Sequence, residues 1–335
     1  MPRLILHIGT HKTATTSIQR FLFKNRAALE KRGVFYPAYD LIGRSPHYAQ
    51  LGMVNALSGR HKNYSVEAAE KFFNKVRERS VDFDTTIISA EPFYRHVLND
   101  PRDGHAYPPE EYWPRRHAYI EKIRDLMGEA QVVVVFRGQA NYAQSLYQEH
   151  VKVTSYKGNF QTFLIDFWYH FVFHEQAQAW NAAFPDLMAM SFEKLIQAGD
   201  IVAEFNRLLG IPVDGLEPVS RANEGMPVDL VILKRTLHLK KTNRDELRSM
   251  LEKLESRLPG EMSSLLKARS FFASESQMHS FQDQFAEQNE YLRPFLAHKI
   301  PHNEAIFATP IKDGQKYGDR VKAEVLHEIL KLAVR

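Results

Sequence analysis

The segment Gly9-Thr-His-Lys-Thr-Ala-Thr-Thr-Ser17 has the residue types of an anion cradle. It follows a short apolar run, Leu4 to Ile8, and leads into a helical pattern. Backbone N–H groups at a helix N-terminus point outward with partial positive charge. The hydroxyls of Thr15, Thr16 and Ser17 add donors, and Lys12 adds a full charge. A phosphate or sulfate group fits such a site. The spacing departs from the nucleotide-triphosphate loop G-x-x-x-x-G-K-[ST]: counting from Gly9, Ala14 holds the second glycine position and Thr15 the lysine position. An ordinary ATPase or GTPase is therefore disfavoured.

A second candidate follows the apolar run Val132 to Phe136, which ends in Arg137 and continues Gly-Gln-Ala-Asn-Tyr-Ala-Gln-Ser145-Leu-Tyr147. Ligands of doubly wound sheets gather at the carboxyl ends of strands, where Arg137 emerges. Ser145, two turns into the next helical pattern, is placed to join the guanidinium around one phosphate.

These two segments together resemble the sulfotransferases that use 3′-phosphoadenosine 5′-phosphosulfate (PAPS), closest in style to the bacterial and carbohydrate enzymes. Lys12-Thr13-Ala14-Thr15-Thr16-Ser17 is similar to the family's K-x-G-T-T-S-like 5′-phosphosulfate loop. Ala14 stands where the family has glycine, so this position is expected to avoid positive φ while the cradle chemistry stays intact. The stretch from Arg137 resembles the family's 3′-phosphate motif R-N-P-x-x-R-x-x-S-x-Y, with Arg137, Ser145 and Tyr147 in register. Gly138 and Gln139 replace its N-P pair, and Tyr142 its middle arginine. Further likenesses are Ser191-Phe-Glu-Lys-Leu195, the Asp200 to Pro212 helix and turn, and Arg221-Ala-Asn223. The resemblance spans residues 1–225. It implies sulfuryl transfer from PAPS, with PAP as product, to a hydroxyl acceptor, and no metal. Lys12 to Ser17 would hold the 5′-phosphosulfate, Arg137 and Ser145 the 3′-phosphate, and Lys12 would also stabilise the leaving group.

Such a reaction needs a base for the acceptor proton. The run Thr85 to Ser89 leads into Ala90-Glu91-Pro92, which puts Glu91 at the same sheet edge as Lys12 and Arg137. Carbohydrate sulfotransferases commonly use a glutamate, whereas the cytosolic small-molecule branch uses a histidine, and the nearest here is His96. Glu91 is the candidate base. With the Tyr- and Trp-rich stretch after it, it points to a carbohydrate hydroxyl as acceptor. A kinase with a degenerate phosphate loop and a non-catalytic protein holding an anionic ligand are the alternatives.

Other constellations carry less. His170 and His174 have metal-ligand spacing, but Phe167, Trp168, Phe171 and Phe173 around them read as a buried aromatic face with no third ligand. Lys234, Arg235, His238, Lys240, Lys241 and Arg244 read as a solvated helix face, because acidic residues resume at Asp245. No G-x-S-x-G or G-x-G-x-x-G occurs, which argues against an α/β-hydrolase and a dinucleotide-dependent dehydrogenase.

The elements that must position these residues follow from periodicity. Apolar, β-rich runs at Leu4 to Ile8, Thr85 to Ser89, Val132 to Phe136 and Leu187 to Met190 predict buried strands. Helical patterns cover Thr15 to Arg32, Val66 to Arg79, His117 to Met127, Asn141 to Thr154 and Phe160 to Ala183. Another runs over Asp200 to Leu209, with Asp200 as N-cap and Gly210 beyond its end. Alternating strands and helices predict an α/β fold with a doubly wound parallel sheet. Pro92 to Pro114, rich in proline and aromatics, reads as a long loop. From Met226 onward the pattern is helical and charged without a convincing strand. Residues 1–225 thus form the expected core, and 226–335 a helical extension packed on it.

Composition sets the outer bounds. The chain has 335 residues, and its net charge of +4, from 44 Lys and Arg against 40 Asp and Glu, is too small to indicate a nucleic-acid partner. Without cysteine there is no disulfide, thiolate metal site or sulfur nucleophile. No apolar run approaches the ~18 residues of a membrane span, and no cleavable leader is evident, so the expectation is a cytoplasmic protein that begins in a core strand.

Overall fold

The computed structural model of the chain describes residues 2–99, 107–219, 226–239, 243–257, 269–307, 311, 315–323, 325–327 and 331. Two compact units emerge. The first comprises Met1–Arg137, Tyr169–Ala222 and Ala286–Phe307, and the second Gly138–Trp168, Asn223–Phe285 and Ala308–Arg335.

The first unit is α/β. In chain order it runs β1 (Arg3–His7), α1 (Thr15–Lys24), α2 (Arg26–Glu30), β2 (Val34–Phe35), α3 (Leu51–Leu57), α4 (Val66–Ser80), β3 (Thr85–Ser89), α5 (Pro92–Arg95), α6 (Pro109–Met127) and β4 (Gln131–Phe136). After the excursion into the second unit, through α7 (Gln139–Val153) and α8 (Phe160–Asp166), come α9 (Phe173–Ala183), β5 (Leu187–Ser191), α10 (Phe192–Gln197) and α11 (Ile201–Leu208). The five strands form one parallel sheet in the order β2-β3-β1-β4-β5. Val132 to Phe136 are all buried, as expected of a parallel strand covered on both faces. From β1 the chain leaves toward β2 on one flank of the sheet, and from β4 toward β5 on the other. The crevice between the carboxyl ends of β1 and β4 is therefore the topological switch point, where ligands of such sheets bind.

Register sets the heights at that crevice. Ile5, Leu6 and His7 pair with Gln131, Val132 and Val133, so β4 continues past the end of β1 through Val134, Val135 and Phe136. Beneath the edge, Ile5, Ile18, Leu22, Val133 and Val135 share one core with Phe205 and Leu209.

Local signals explain most boundaries. In α4, Ala69, Phe72, Phe73 and Val76 form a buried stripe, and Ser65 caps its first turn by accepting from the Ala68 amide. Asp200 caps α11 by accepting from the Val202 and Ala203 amides. Gly210, at φ +66°, ends that helix with the paired bonds of a Schellman turn, Gly210 N–H to Arg207 O and Ile211 N–H to Asn206 O.

Three expectations are corrected. Pro92 to Pro114 is not one long loop: its ends are helical, because Pro109 sits in the first turn of α6, where no N–H is needed. Pro114 is carried inside α6, whose Tyr112, Arg116, Tyr119, Ile120, Ile123 and Met127 form a continuous buried stripe. Residues 100–106 lie outside the described segments. The Thr15 to Arg32 pattern breaks at Asn25, whose side-chain amide donates to the carbonyls of Phe21 and Glu217. The Phe160 to Ala183 pattern breaks into α8, a 3-10 turn at Trp168–His170, and α9. Across that break the chain passes from the second unit back to the first.

The second unit is mainly helical, with α7, α8, α12 (Val228–Leu239) and α13 (Arg244–Arg257). Here too an expectation fails, since β6 (Arg269–Ser270) and β7 (Lys316–Tyr317) form a two-stranded parallel ladder after Met226. Both are too short to leave a periodic trace. The buried Asp229 carboxylate pairs with Arg269 and accepts from the Lys322 amide. Tyr147 is core here, its hydroxyl donating to Gly158 O while its ring meets Phe160, Phe163 and Phe271.

Candidate functional site

The loop between β1 and α1 is built from inside. Ile8 N–H makes the last ladder bond to Val133 O, after which the chain turns at Gly9, φ +29°. A Cβ at Gly9 would lie 3.1 Å from Thr15 Oγ1 and 3.3 Å from His7 Nε2, so a larger residue would push the turn off the helix start. Thr10 Oγ1 donates to Val135 O at 2.7 Å, fastening the loop to the overhanging part of β4. Thr13 Oγ1 donates to Thr10 O at 2.7 Å, and Thr15 Oγ1 to the same oxygen at 3.4 Å. These three threonines are buried and brace the loop from within, whereas Lys12, Ala14, Thr16 and Ser17 are half-buried.

Lys12 and Ala14 both adopt left-handed backbone, φ +66° and +63°. This corrects the expectation that alanine keeps position 14 out of positive φ. The helix begins here, with Ala14 as N-cap and its carbonyl accepting from the Ser17 and Ile18 amides. That turn requires the αL conformation, and the loop bears the strain of about 1–2 kcal/mol that a Cβ costs there. Left-handed residues on either side of Thr13, which is not among the positive-φ positions, give the alternation in sign of φ that anion-binding nests use to turn successive amides to one side.

Arg137 leaves the end of β4. Its Nη1 donates to Lys12 O at 3.4 Å, and its guanidinium lies 5.2 Å from the Phe192 ring centroid. Burial lowers its pKa from the ordinary arginine value, and the Glu193 carboxylate opposes that shift. Glu193 is held at the start of α10 by Ser191, whose hydroxyl donates to it at 3.1 Å.

Glu91 follows β3 and is 7% exposed. Burial raises its carboxyl above the ordinary carboxylate range, against its own backbone amide, the Gln19 amide and the Arg95 charge, which favour ionisation. Gln19 Nε2 donates to Glu91 Oε2 at 3.4 Å and to Ser89 O at 3.0 Å. Ser89 Oγ lies 2.8 Å from His7 Nδ1, and the Ser89 amide donates to Gln50 Oε1 at 2.8 Å. Burial pushes the His7 imidazole down to about 3, so it is neutral. His96 also lies in this unit; its Nε2 is 2.6 Å from Asn55 Oδ1 in α3, and burial holds it well below the usual histidine range.

The structure thus brings Lys12, Thr13, Ala14, Thr15, Thr16, Ser17, Arg137 and Glu91 to the carboxyl ends of β1, β4 and β3 within one unit. Ser145, half-buried on α7, belongs to the second unit. Arg221-Ala-Asn223, Lys240 and Lys241 lie outside the described residues. Lys234 departs from the solvated-face reading: it is fully buried and donates to Lys152 O. His174 stacks on Tyr291, and among the described residues no group of three His, Cys, Asp or Glu is arranged to hold a metal ion. Nor, among them, is any helix long and apolar enough to cross a membrane. The polar set His7, Gln19, Gln50 and Ser89 escaped sequence reasoning. Its one visible signal was His7 interrupting an apolar strand.

No family model matches the chain, and no curated protein matches its sequence. Among solved structures, a sulfotransferase from Alicyclobacillus acidocaldarius is similar, with 12% identity over 75% of this chain and 96% of that chain and a TM-score of 0.39.

Proposed function

We propose that the protein is a sulfotransferase that moves the sulfuryl group of PAPS to a hydroxyl acceptor, most simply a carbohydrate. The observation that carries this reading is the link from Arg137 to the Lys12 carbonyl across the switch point. Two segments that resemble the two halves of a PAPS site, far apart in sequence, meet at neighbouring strand ends. The donor set fits a dianionic group without a metal: helix-start amides from Thr13 to Thr16, the Thr16 and Ser17 hydroxyls, and the Lys12 ammonium. Arg137 would hold the 3′-phosphate, and Ser145 is assigned with it from the sequence motif alone.

In the reaction the S–O bond to the phosphate breaks as the acceptor oxygen bonds to sulfur. Lys12 balances charge growing on the departing phosphate oxygen, and Glu91 takes the acceptor proton. Its raised carboxyl suits that task, since a base works best when its pKa approaches the working pH.

Thermal-shift ranking of PAP, ATP and GTP, with and without EDTA, tests the reading. PAP should stabilise most, and chelator should leave its effect intact. Stabilisation by ATP that EDTA abolishes, with none by PAP, would transfer the site to a kinase. Tight PAP binding with no transfer to any of a panel of glycans and small alcohols would favour a binding protein.

A further inference from the structure

We propose that Gln19 is a positioning residue that fixes Glu91 for acceptor deprotonation and ties it to the helix that opens the phosphosulfate cradle. The proposal rests on the sulfotransferase reading for Glu91's role.

Gln19 is 1% exposed and lies one turn beyond Thr15 on α1. Its amide nitrogen faces three acceptors: Ser89 O at 3.0 Å, Ser89 Oγ at 3.2 Å and Glu91 Oε2 at 3.4 Å. A backbone carbonyl only accepts, so this end of the amide must be the nitrogen. Two hydrogens serve three acceptors, the two Ser89 oxygens and the carboxylate. Ser89 cannot drift, because Gln50 holds its amide and His7 its hydroxyl. Gln19 therefore references the Glu91 carboxylate to a fixed point on β3 and to α1 together.

The groups facing this carboxylate come from every element around it. They are Gln19 from α1, Tyr36 after β2, Arg95 from α5, and His7 of β1 through Ser89. His7 is neutral and buried Tyr36 keeps its proton, so Gln19 and Arg95, with the local backbone amide, favour the ionised form against burial. Removing the Gln19 donor should move Glu91 toward its protonated form and free its rotamer.

The test compares wild type with Gln19→Met, which keeps length and loses the donor, and with Gln19→Glu, which keeps shape and donates only while protonated. In Gln19→Met the acid limb of turnover should move up by about one pH unit and turnover fall about tenfold, with the KM for PAPS within about twofold. In Gln19→Glu activity should be confined to the pH window in which the two facing carboxyls share one proton, and should be lost on either side of it. The Glu91 carboxyl resonance, identified by its loss in Glu91→Gln, should titrate higher in Gln19→Met, a readout that needs no acceptor. An unmoved titration and an unmoved acid limb overturn the role of Gln19. If Gln19→Met does not fold, Gln19→Glu decides, and a wild-type pH profile there overturns the role equally. A wild type that neither binds PAP nor transfers sulfate defeats the sulfotransferase reading instead, and leaves the carboxyl titration to judge Gln19 by itself.

Discussion

Arg137 Nη1 and the backbone carbonyl of Lys12 are 3.4 Å apart, so the residue that follows β4 holds the loop leaving β1 by its main chain. The Lys12 side chain takes no part in that tie, which lets the two residues be separated by substitution. Arg137→Ala should weaken PAP binding by about 1.5–3 kcal/mol, the scale of a charge-assisted hydrogen bond. Lys12→Ala should chiefly reduce turnover, since its charge is most needed in the transition state. Titration calorimetry with PAP beside initial rates checks both. Unchanged PAP affinity in Arg137→Ala would remove the 3′-phosphate assignment.

Glu91→Gln keeps shape and one hydrogen-bonding oxygen but no basicity. Turnover should fall about 10²–10⁴-fold while PAP affinity stays near wild type. Near-normal turnover would exclude Glu91 as the base.

The same substitution has a stability signature. Because burial raises the Glu91 carboxyl, the folded chain binds its proton more tightly than the unfolded chain. That contribution is complete below the ordinary carboxylate range and is lost as pH rises through the raised value. Glu91→Gln should therefore gain melting temperature relative to wild type as pH climbs from acid toward neutral. A gap that stays constant with pH would mean that Glu91 titrates normally.

His7 acts in the opposite sense. Its imidazole is pushed from 6.5 to about 3, so the stability of the neutral ring is whole above pH 6.5 and drains away as pH falls toward 3. His7→Asn, whose amide can take the place of Nδ1 against Ser89, should flatten the melting curve's dependence on pH across that window. An equally steep dependence in the variant would point to another group.

Ala14→Gly should leave the melting temperature unchanged or raise it. At φ +63° the alanine costs about 1–2 kcal/mol, while glycine costs about 0.4–1 kcal/mol in unfolded-chain entropy. PAP affinity should be retained. A clear loss of stability would show that the methyl group has a packing role.

The sheet was legible because its strands are buried on both faces and read as short, largely apolar and β-branched runs; Thr85 to Ser89 has the same limits in sequence and structure. Strand β2, two residues long, left no pattern to read. The first eight residues of α6, ahead of the expected start at His117, were hidden by Pro114, because a local rule against proline was outweighed by a six-residue buried stripe. At the candidate site the charged residues were visible as types at strand ends. The hydrogen bonds that orient them join residues distant in sequence, such as Gln19 and Ser89, and nothing local encodes them. The αL backbone of Ala14 was misread for the same reason, since the helix start and the threonine braces set it, not the residue itself.

The stagger between β1 and β4 makes the site sensitive to length at one end only. Three residues of β4 rise beyond the partner of His7, about 10 Å of strand at about 3.3 Å each, and the loop is pinned to that overhang by Thr10 at Val135. Adding or deleting one residue between Val134 and Phe136 would shift Arg137 by a full strand step and turn it to the opposite face. The same change in the turn before Gln131 would be absorbed at the far edge of the sheet. Insertions and deletions should thus be accepted before Gln131 and refused after Val133, an asymmetry that a library of single-residue length variants along residues 128–137 would display directly.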